Sequence, residues 1–410
     1  MSKTRRLQES LLKNSRMCNP IIASNITKNW RYLDFIDPKT LLPSIAIEWL
    51  YGTRGFIAGR LLVFQSSYSK GKTSLMTLFY GMGQKTSNAF CFHAETEGAP
   101  PPEDRVYALG CDPEDLILVQ AKSLEGCMED FDNIVAALRG GWVDSGGLEI
   151  GKKLKGLGDP IDPKCEFPAM GGIDSISALG MQSEVNDVVM DETKTSAIAG
   201  HARKVSSWLS KRCGARWSSG QIFVMLAVHE KENVGGMPSF GESKGTFKGE
   251  KPIGFHSTWI TRLSNGKWRD NNTKESLGTK IFLEITKNKV SEPYKKIELY
   301  LTKNDGFNLI KSDYDFLSKN RYSPITVSRG GDAIICKDLS DQSFHSEEEL
   351  VRAFYENKDL LMSTREKLRI RGFGFDFENN YKHQNVIDPK EEEAPKEKKH
   401  GIDIAEMIKN

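Results

Sequence analysis

No Cys-x-x-Cys pair occurs in this sequence, and its cysteines number seven, an odd count: Cys18, Cys91, Cys111, Cys127, Cys165, Cys213 and Cys336. That pattern argues against a disulfide framework and a structural zinc site, and it fits a reducing compartment. Long apolar runs are also missing. None approaches the roughly 18–20 residues of a membrane span, and the opening MSKTRRLQESLLKNSR lacks the apolar core of a secretion signal. The expectation is a soluble, cytoplasmic protein without a membrane partner. Nor is there an excess of either charge, since Lys+Arg number 57 and Asp+Glu 55, for a formal net charge of +2. This excludes a chain-wide basic footprint of the histone kind, so any nucleic-acid surface must be local. No internal repeat is visible.

At 410 residues the chain is long enough for one large domain with appendages. Residues 1–39 mix a short basic amphipathic stretch with the apolar patch Pro20-Ile21-Ile22-Ala23, too little to fold alone, and predict a segment that docks on the body or on a neighbouring subunit. From about 40 to 318, strand-like and helix-like runs alternate, the pattern of an α/β domain with a mainly parallel twisted sheet. Strands are predicted at Arg60–Gln65, Asn88–His93, Asp115–Ala121, Gln221–Val228, Thr279–Thr286 and Lys296–Thr302. A helix is predicted over Ser123–Arg139, where Leu124, Cys127, Met128, Phe131, Ile134, Val135 and Leu138 recur at spacings of three and four. Residues 139–168 are Gly-rich and polar, a long surface loop or insertion. Ser346-Glu347-Glu348-Glu349 ahead of Leu350, Val351 and Phe354 forms a capping box, marking a small C-terminal domain over 319–387. The remainder, 388–410, is a charged tail ending in a short amphipathic tag.

The strongest local signal is the strand Arg60–Gln65, then Ser66-Ser67-Tyr68-Ser69-Lys70-Gly71-Lys72-Thr73-Ser74, then an apolar helix. Strand, loop, Gly-Lys-Thr and helix in that order form a P-loop. Backbone N–H groups cradle phosphates, Lys72 reaches the outer phosphate oxygens of ATP, and the Thr73 hydroxyl binds Mg2+. Ser66 stands where the first glycine is usual, so either a looser turn or a serine in an unusual backbone conformation is expected. A second magnesium-holding carboxylate belongs at another strand end, and Asp174 in Ile173-Asp174-Ser175 supplies it. The preceding Pro168-Ala169-Met170-Gly171-Gly172 makes a poor strand by composition.

Between Leu42 and Leu78 the sequence LPSIAIEWLYGTRGFIAGRLLVFQSSYSKGKTSLMTL resembles the segment leading into the P-loop of the RecA family, including its Gly-x-x-x-Gly-Arg. The resemblance continues in register through Phe92-His93-Ala94-Glu95, Leu109-Gly110-Cys111-Asp112, Asp174-Ser175 and Thr286-Lys287-Asn288-Lys289. It covers roughly residues 40–303, with UvsX-type phage recombinases looking closer than bacterial RecA. The resemblance implies a RecA-type ATPase core and a helical filament with ATP at each subunit interface, residues 1–39 packing on the next protomer. It implies that Glu95 polarises the attacking water, with Glu97 as a nearby competitor. The strand carrying Glu95 is expected beside the P-loop strand. His229 takes the position that senses the γ-phosphate, Lys287 and Lys289 reach across the boundary to the neighbour's ATP, and Arg105 falls where the family stacks a side chain on adenine.

Two loops are expected to meet DNA. One covers about 182–196. The other, Glu230–Lys251, interleaves glycines with Lys244, Lys248 and Lys251 and with Met237, Phe240 and Phe247, a mixture suited to single strands. The function expected is an ATP-dependent homologous recombination protein that polymerises on single-stranded DNA, pairs it with homologous duplex and exchanges strands. A single-strand-binding or mediator protein is a possible partner of the tail. The alternatives are a RecA-fold hexameric helicase or KaiC-like ATPase, and a non-catalytic recombination mediator.

Overall fold

The computed structural model describes residues 31–98, 100–141, 149–182, 195–230, 250–270, 273–302, 304–330, 333–339 and 342–372. In chain order the elements are β1 (Tyr32–Asp34), α1 (Ile45–Tyr51), β2 (Gly55–Ile57), β3 (Leu61–Ser66), α2 (Lys72–Ser87), β4 (Phe90–Glu95), α3 (Glu103–Ala108), β5 (Leu116–Gln120) and α4 (Leu124–Arg139). Then come β6 (Ala169–Asp174), α5 (Thr195–Arg212), α6 (Ala215–Ser219), β7 (Ile222–His229), α7 (Glu250–His256), β8 (Trp259–Arg269), β9 (Ser276–Asn288) and β10 (Lys296–Thr302). The chain continues with β11 (Phe307–Asn308), α8 (Leu309–Lys319), β12 (Val327–Gly330), β13 (Ala333–Cys336), β14 (Gln342–Phe344), α9 (Glu347–Glu356) and α10 (Lys358–Lys367).

One nine-stranded sheet runs in the order β11-β10-β9-β8-β3-β7-β6-β4-β5. Strands β8, β3, β7, β6, β4 and β5 are parallel neighbours, and β9, β10 and β11 continue the sheet antiparallel. Both faces of the parallel part are covered, because successive side chains of a strand point to opposite faces. On β3, Leu62 and Phe64 join one apolar cluster with α1 and α2, while Leu61 and Val63 join a second with α4 and α5. On β7, Phe223, Met225 and Ala227 go to the first, and Ile222, Val224, Leu226 and Val228 to the second.

Two expectations need correction. The strand carrying Glu95 is not beside the P-loop strand: β7 and β6 lie between β3 and β4, a non-local insertion that chain order does not reveal. The glycine-rich segment before Asp174 is a fully buried strand, β6. Its glycines are there for space. A Cβ on Gly171 would lie 2.4 Å from the Phe92 ring, and one on Gly172 would lie 2.1 Å from Tyr80 Oη.

The helix over 124–139 is capped by Ser123, whose hydroxyl accepts from Gly126 N–H at 3.1 Å. The stretch after it holds turns and irregular backbone over 149–168, tied down by Arg139, whose guanidinium is buried against Asp162. At α9, Glu349 N–H donates to Ser346 Oγ at 3.2 Å, and the Glu349 carboxylate accepts from His345 N–H at 2.8 Å. Leu350, Val351 and Phe354 share the apolar cluster of α1. Arg365 of α10 donates twice to Glu48 of α1, at 2.9 and 2.6 Å, both side chains fully buried. Among the described residues no helix is long and apolar enough to cross a membrane.

Candidate nucleotide site

Parallel strands present their carboxyl ends on one edge of the sheet, and the loops there meet at a cleft. β3 ends at Ser66, and α2 begins at Lys72 behind Gly71, whose φ of +91° is left-handed backbone that glycine adopts without strain. The expectation of unusual backbone at Ser66 is corrected. Ser66 is extended and paired with His229, and the positive φ falls instead on Ser69, at 55°. The Ser66 hydroxyl has a use that a glycine could not supply, accepting from Lys72 Nζ at 3.1 Å. Lys72 Nζ also donates to the Ser67 carbonyl at 3.1 Å and stands 3.2 Å from His229 Nδ1. Burial pulls the Lys72 ammonium below its ordinary pKa, and Asp174, Glu97 and Glu230 oppose that shift.

The strand order puts His229, Asp174 and Glu95 at the ends of β7, β6 and β4, three successive strands beyond β3. Thr73 Oγ1 donates to Asp174 Oδ2. Burial raises the Asp174 carboxyl above its ordinary pKa, with His93, Thr73 and Lys72 acting against burial and Glu95 adding to it. Glu95 is also buried, opposite Asp174 in the β4–β6 register. Its Oε1 accepts from Glu97 N–H at 2.6 Å, and His93 Nε2 stands 3.7 Å from its Oε2. Burial raises this carboxyl too, but His93 and the Glu97 N–H outweigh burial and hold it below its ordinary pKa.

The cleft is lined by Tyr68 to Ser74 of the P-loop and by Glu97, Asp174, His229, Asn265, Thr279, Ile281 and Leu301. Sequence reasoning missed its far wall. Asn265 of β8 accepts from Lys70 Nζ at 3.0 Å and donates to the Ser69 carbonyl at 2.9 Å. A lone asparagine inside Ser-Asn-Gly gives no signal beyond a turn. Glu97, singled out only as a competitor of Glu95, bonds through its carboxylate to His229 Nε2. Arg105 on α3 donates to the Thr302 carbonyl at 3.4 Å, next to Leu301, at the rim of the cleft.

Lys287 and Lys289 do not line the cleft of their own chain. Lys287 pairs with Ile260 and Asn288 with Trp259, beside Leu62 and Val63 at the start of β3, whereas the P-loop leaves its far end. Lys287 donates to the Gly254 carbonyl, and Lys289 to the Phe255 carbonyl at 2.8 Å, so both ammonium groups hold the C-terminal end of α7. Phe255 itself is 75 % exposed. Of the predicted DNA-contacting residues, Met237, Phe240, Lys244, Phe247 and Lys248 lie outside the described residues, as does most of the 182–196 loop. Lys251 is exposed on α7. The chain leaves β7 through Glu230, whose N–H donates to the Ser66 carbonyl at 2.9 Å and whose carboxylate is 2.9 Å from Arg262 Nε.

No family model matches the chain. It is similar to Protein RecA of Corynebacterium aurimucosum, 27% identical over 275 residues, which is 66% of this chain and 61% of that protein. Protein RecA of Corynebacterium glutamicum is 27% identical over 278 residues, 67% of this chain and 63% of the relative. Protein RecA of Ruegeria pomeroyi is 26% identical over 270 residues, 65% of each chain. The chain thus spans a little under two thirds of the length of these relatives. Over about two thirds of its length, then, this α/β protein is similar to RecA proteins, and that similarity supports a RecA-type core.

Proposed function

We propose that the protein is an ATP-dependent recombinase that polymerises on single-stranded DNA, pairs it with homologous duplex and exchanges strands. The observation that carries this reading is the convergence of Lys72, Thr73, Asp174 and His229 on one cleft, with Glu95 buried opposite Asp174 at the next strand end. Such an edge suits phosphoryl transfer, which needs a phosphate cradle, a metal anchor and a carboxylate near the attacking water.

In this reading the P-loop N–H groups and Lys72 hold the phosphates, and Arg105 flanks the base. Thr73 and Asp174 fit a magnesium ion, since their oxygens already face each other and such a site takes one or two protein oxygens beside phosphate and water. When bound, the ion supplies neutralising charge to the phosphates. Glu95, held ionised by its hydrogen bonds, orients the attacking water. Lys287 and Lys289 stand at the opposite end of β3 and act on the neighbouring protomer's nucleotide, stabilising charge as it develops. The loop Glu230–Lys251, which follows the sensor strand, contacts the DNA, and residues 1–39 dock on the next protomer.

Phosphate release measured with and without single-stranded DNA, alongside strand exchange between a circular single strand and a homologous linear duplex, tests the proposal. DNA-stimulated hydrolysis with joint-molecule formation is the result expected. DNA binding without hydrolysis points to a mediator, and duplex unwinding without pairing to a helicase.

A further inference from the structure

His229 is held on three sides. Its Nδ1 is 3.2 Å from Lys72 Nζ, its Nε2 bonds to Glu97 Oε1, and the Tyr68 ring stacks on it at 4.6 Å between centroids with the planes 29° apart. Its backbone N–H donates to Ser177 Oγ at 2.9 Å, fixing the strand end. The partners assign the proton. A carboxylate only accepts, so Nε2 carries the hydrogen; an ammonium only donates, so Nδ1 offers its lone pair.

This arrangement suits a lysine and is wrong for a phosphate. A terminal phosphate oxygen that drew Lys72 to itself would leave Nδ1 facing an acceptor, with no hydrogen to give. The conflict is relieved when Nδ1 takes a proton from solvent. The ring is then an imidazolium between the Glu97 carboxylate and the phosphate, and each anion favours the charged form. No bond to phosphorus changes in this step.

Resting on the nucleotide-binding reading above, we propose that Glu97 is the positioning residue of His229: it commits the imidazole to receive a γ-phosphate as an imidazolium, so that binding a nucleoside triphosphate takes up a proton that binding a diphosphate does not. The charged groups around the ring are consistent with this. Lys72 faces it from α2, Tyr68 from the P-loop and Glu97 from the segment after β4, and Asp174 at the end of β6 lines the same cleft. Glu230 follows it in the chain and is already neutralised by Arg262 of β8. Once Lys72 is engaged by phosphate, Glu97 is the charged side chain that stays bonded to the ring. Glu97 is 43 % exposed and His229 13 %, so solvent can deliver the proton.

The experiment is isothermal titration calorimetry of the full-length protein with adenylyl imidodiphosphate and with ADP, both with magnesium. Runs are made at about pH 7.5, above the ordinary histidine value of roughly 6.5. Repeating them in buffers of different ionisation enthalpy gives the number of protons bound. The imido analogue should bind with about one proton more than ADP, because only it carries the terminal phosphate. In His229→Gln, whose amide donates without titrating, the difference should vanish while both ligands still bind. In Glu97→Gln it should fall by at least about half, because one of the two flanking anions is gone. Equal proton counts for the two nucleotides on the unaltered protein overturn the proposal, as does a difference that survives His229→Gln. A full difference in Glu97→Gln removes Glu97 from the role. Failure of either nucleotide to bind overturns the nucleotide-site reading itself, a separate outcome.

Discussion

Changing Glu95 to glutamine removes one charge from a buried pair of carboxylates and almost nothing else. The glutamine is isosteric, and its Oε1 keeps the bond from Glu97 N–H that now measures 2.6 Å, so the strand end should hold its shape. Loss of the carboxylate should cut hydrolysis at least about a hundredfold, equivalent to about 2.7 kcal/mol in the barrier. Nucleotide affinity should move the other way. Asp174 is raised by burial and further by Glu95, so without that neighbour it ionises more readily and anchors magnesium at least as well. The combination, slower turnover with equal or tighter binding, separates a catalytic loss from general damage. Single-turnover phosphate release and fluorescent-nucleotide titration on the same preparation measure both. The reasoning is refuted if Glu97→Gln abolishes turnover while Glu95→Gln leaves it within a few-fold. The water would then be held one strand alternation further out, by the carboxylate that lines the cleft and bonds to His229.

Gly172→Ala should destabilise the fold by about 1–3 kcal/mol, because its Cβ would meet Tyr80 Oη at 2.1 Å, and the urea midpoint should fall accordingly. Arg365→Met should cost about 3–5 kcal/mol by leaving Glu48 buried and unpaired, and the double change Arg365→Met/Glu48→Leu should recover most of it in the same denaturation assay. Lys287→Ala/Lys289→Ala should lose DNA-stimulated hydrolysis while keeping nucleotide affinity; mixed with Lys72→Ala protein it should regain some activity, and no recovery at any ratio would argue against shared sites. Replacing Lys244, Lys248 and Lys251 should lower the slope of log affinity against log salt by about 0.7 per lysine on single strands, whereas Phe240→Ala or Phe247→Ala should weaken binding by about 1–3 kcal/mol with the slope unchanged.

What could be read from the sequence was local. Gly71-Lys72-Thr73 after an apolar strand marks the P-loop because its chemistry is contained within a few residues, and α4 is visible because seven apolar residues share one face. The β6 strand was hidden, since Gly171 and Gly172 look like a turn until Phe92 and Tyr80 are seen pressing on them. Strand order was hidden for a related reason: β7, far along the chain, inserts beside β3, and no local pattern encodes a neighbour more than a hundred residues away. The bond between Glu97 and His229 depends on that insertion, because it brings the end of β7 within reach of the segment after β4.

The grip of Lys287 and Lys289 on α7 has a consequence for any row of such subunits joined head to tail. In an isolated protomer both ammonium groups are occupied by carbonyls of their own chain. If each protomer lends them to the next, the two ends of the row are chemically unlike. One terminal subunit keeps its lysines at home with nothing to serve, and the other holds a nucleotide that no lysines reach. Hydrolysis would then fail at one terminus alone, so loss of subunits after turnover would have a direction fixed by the fold.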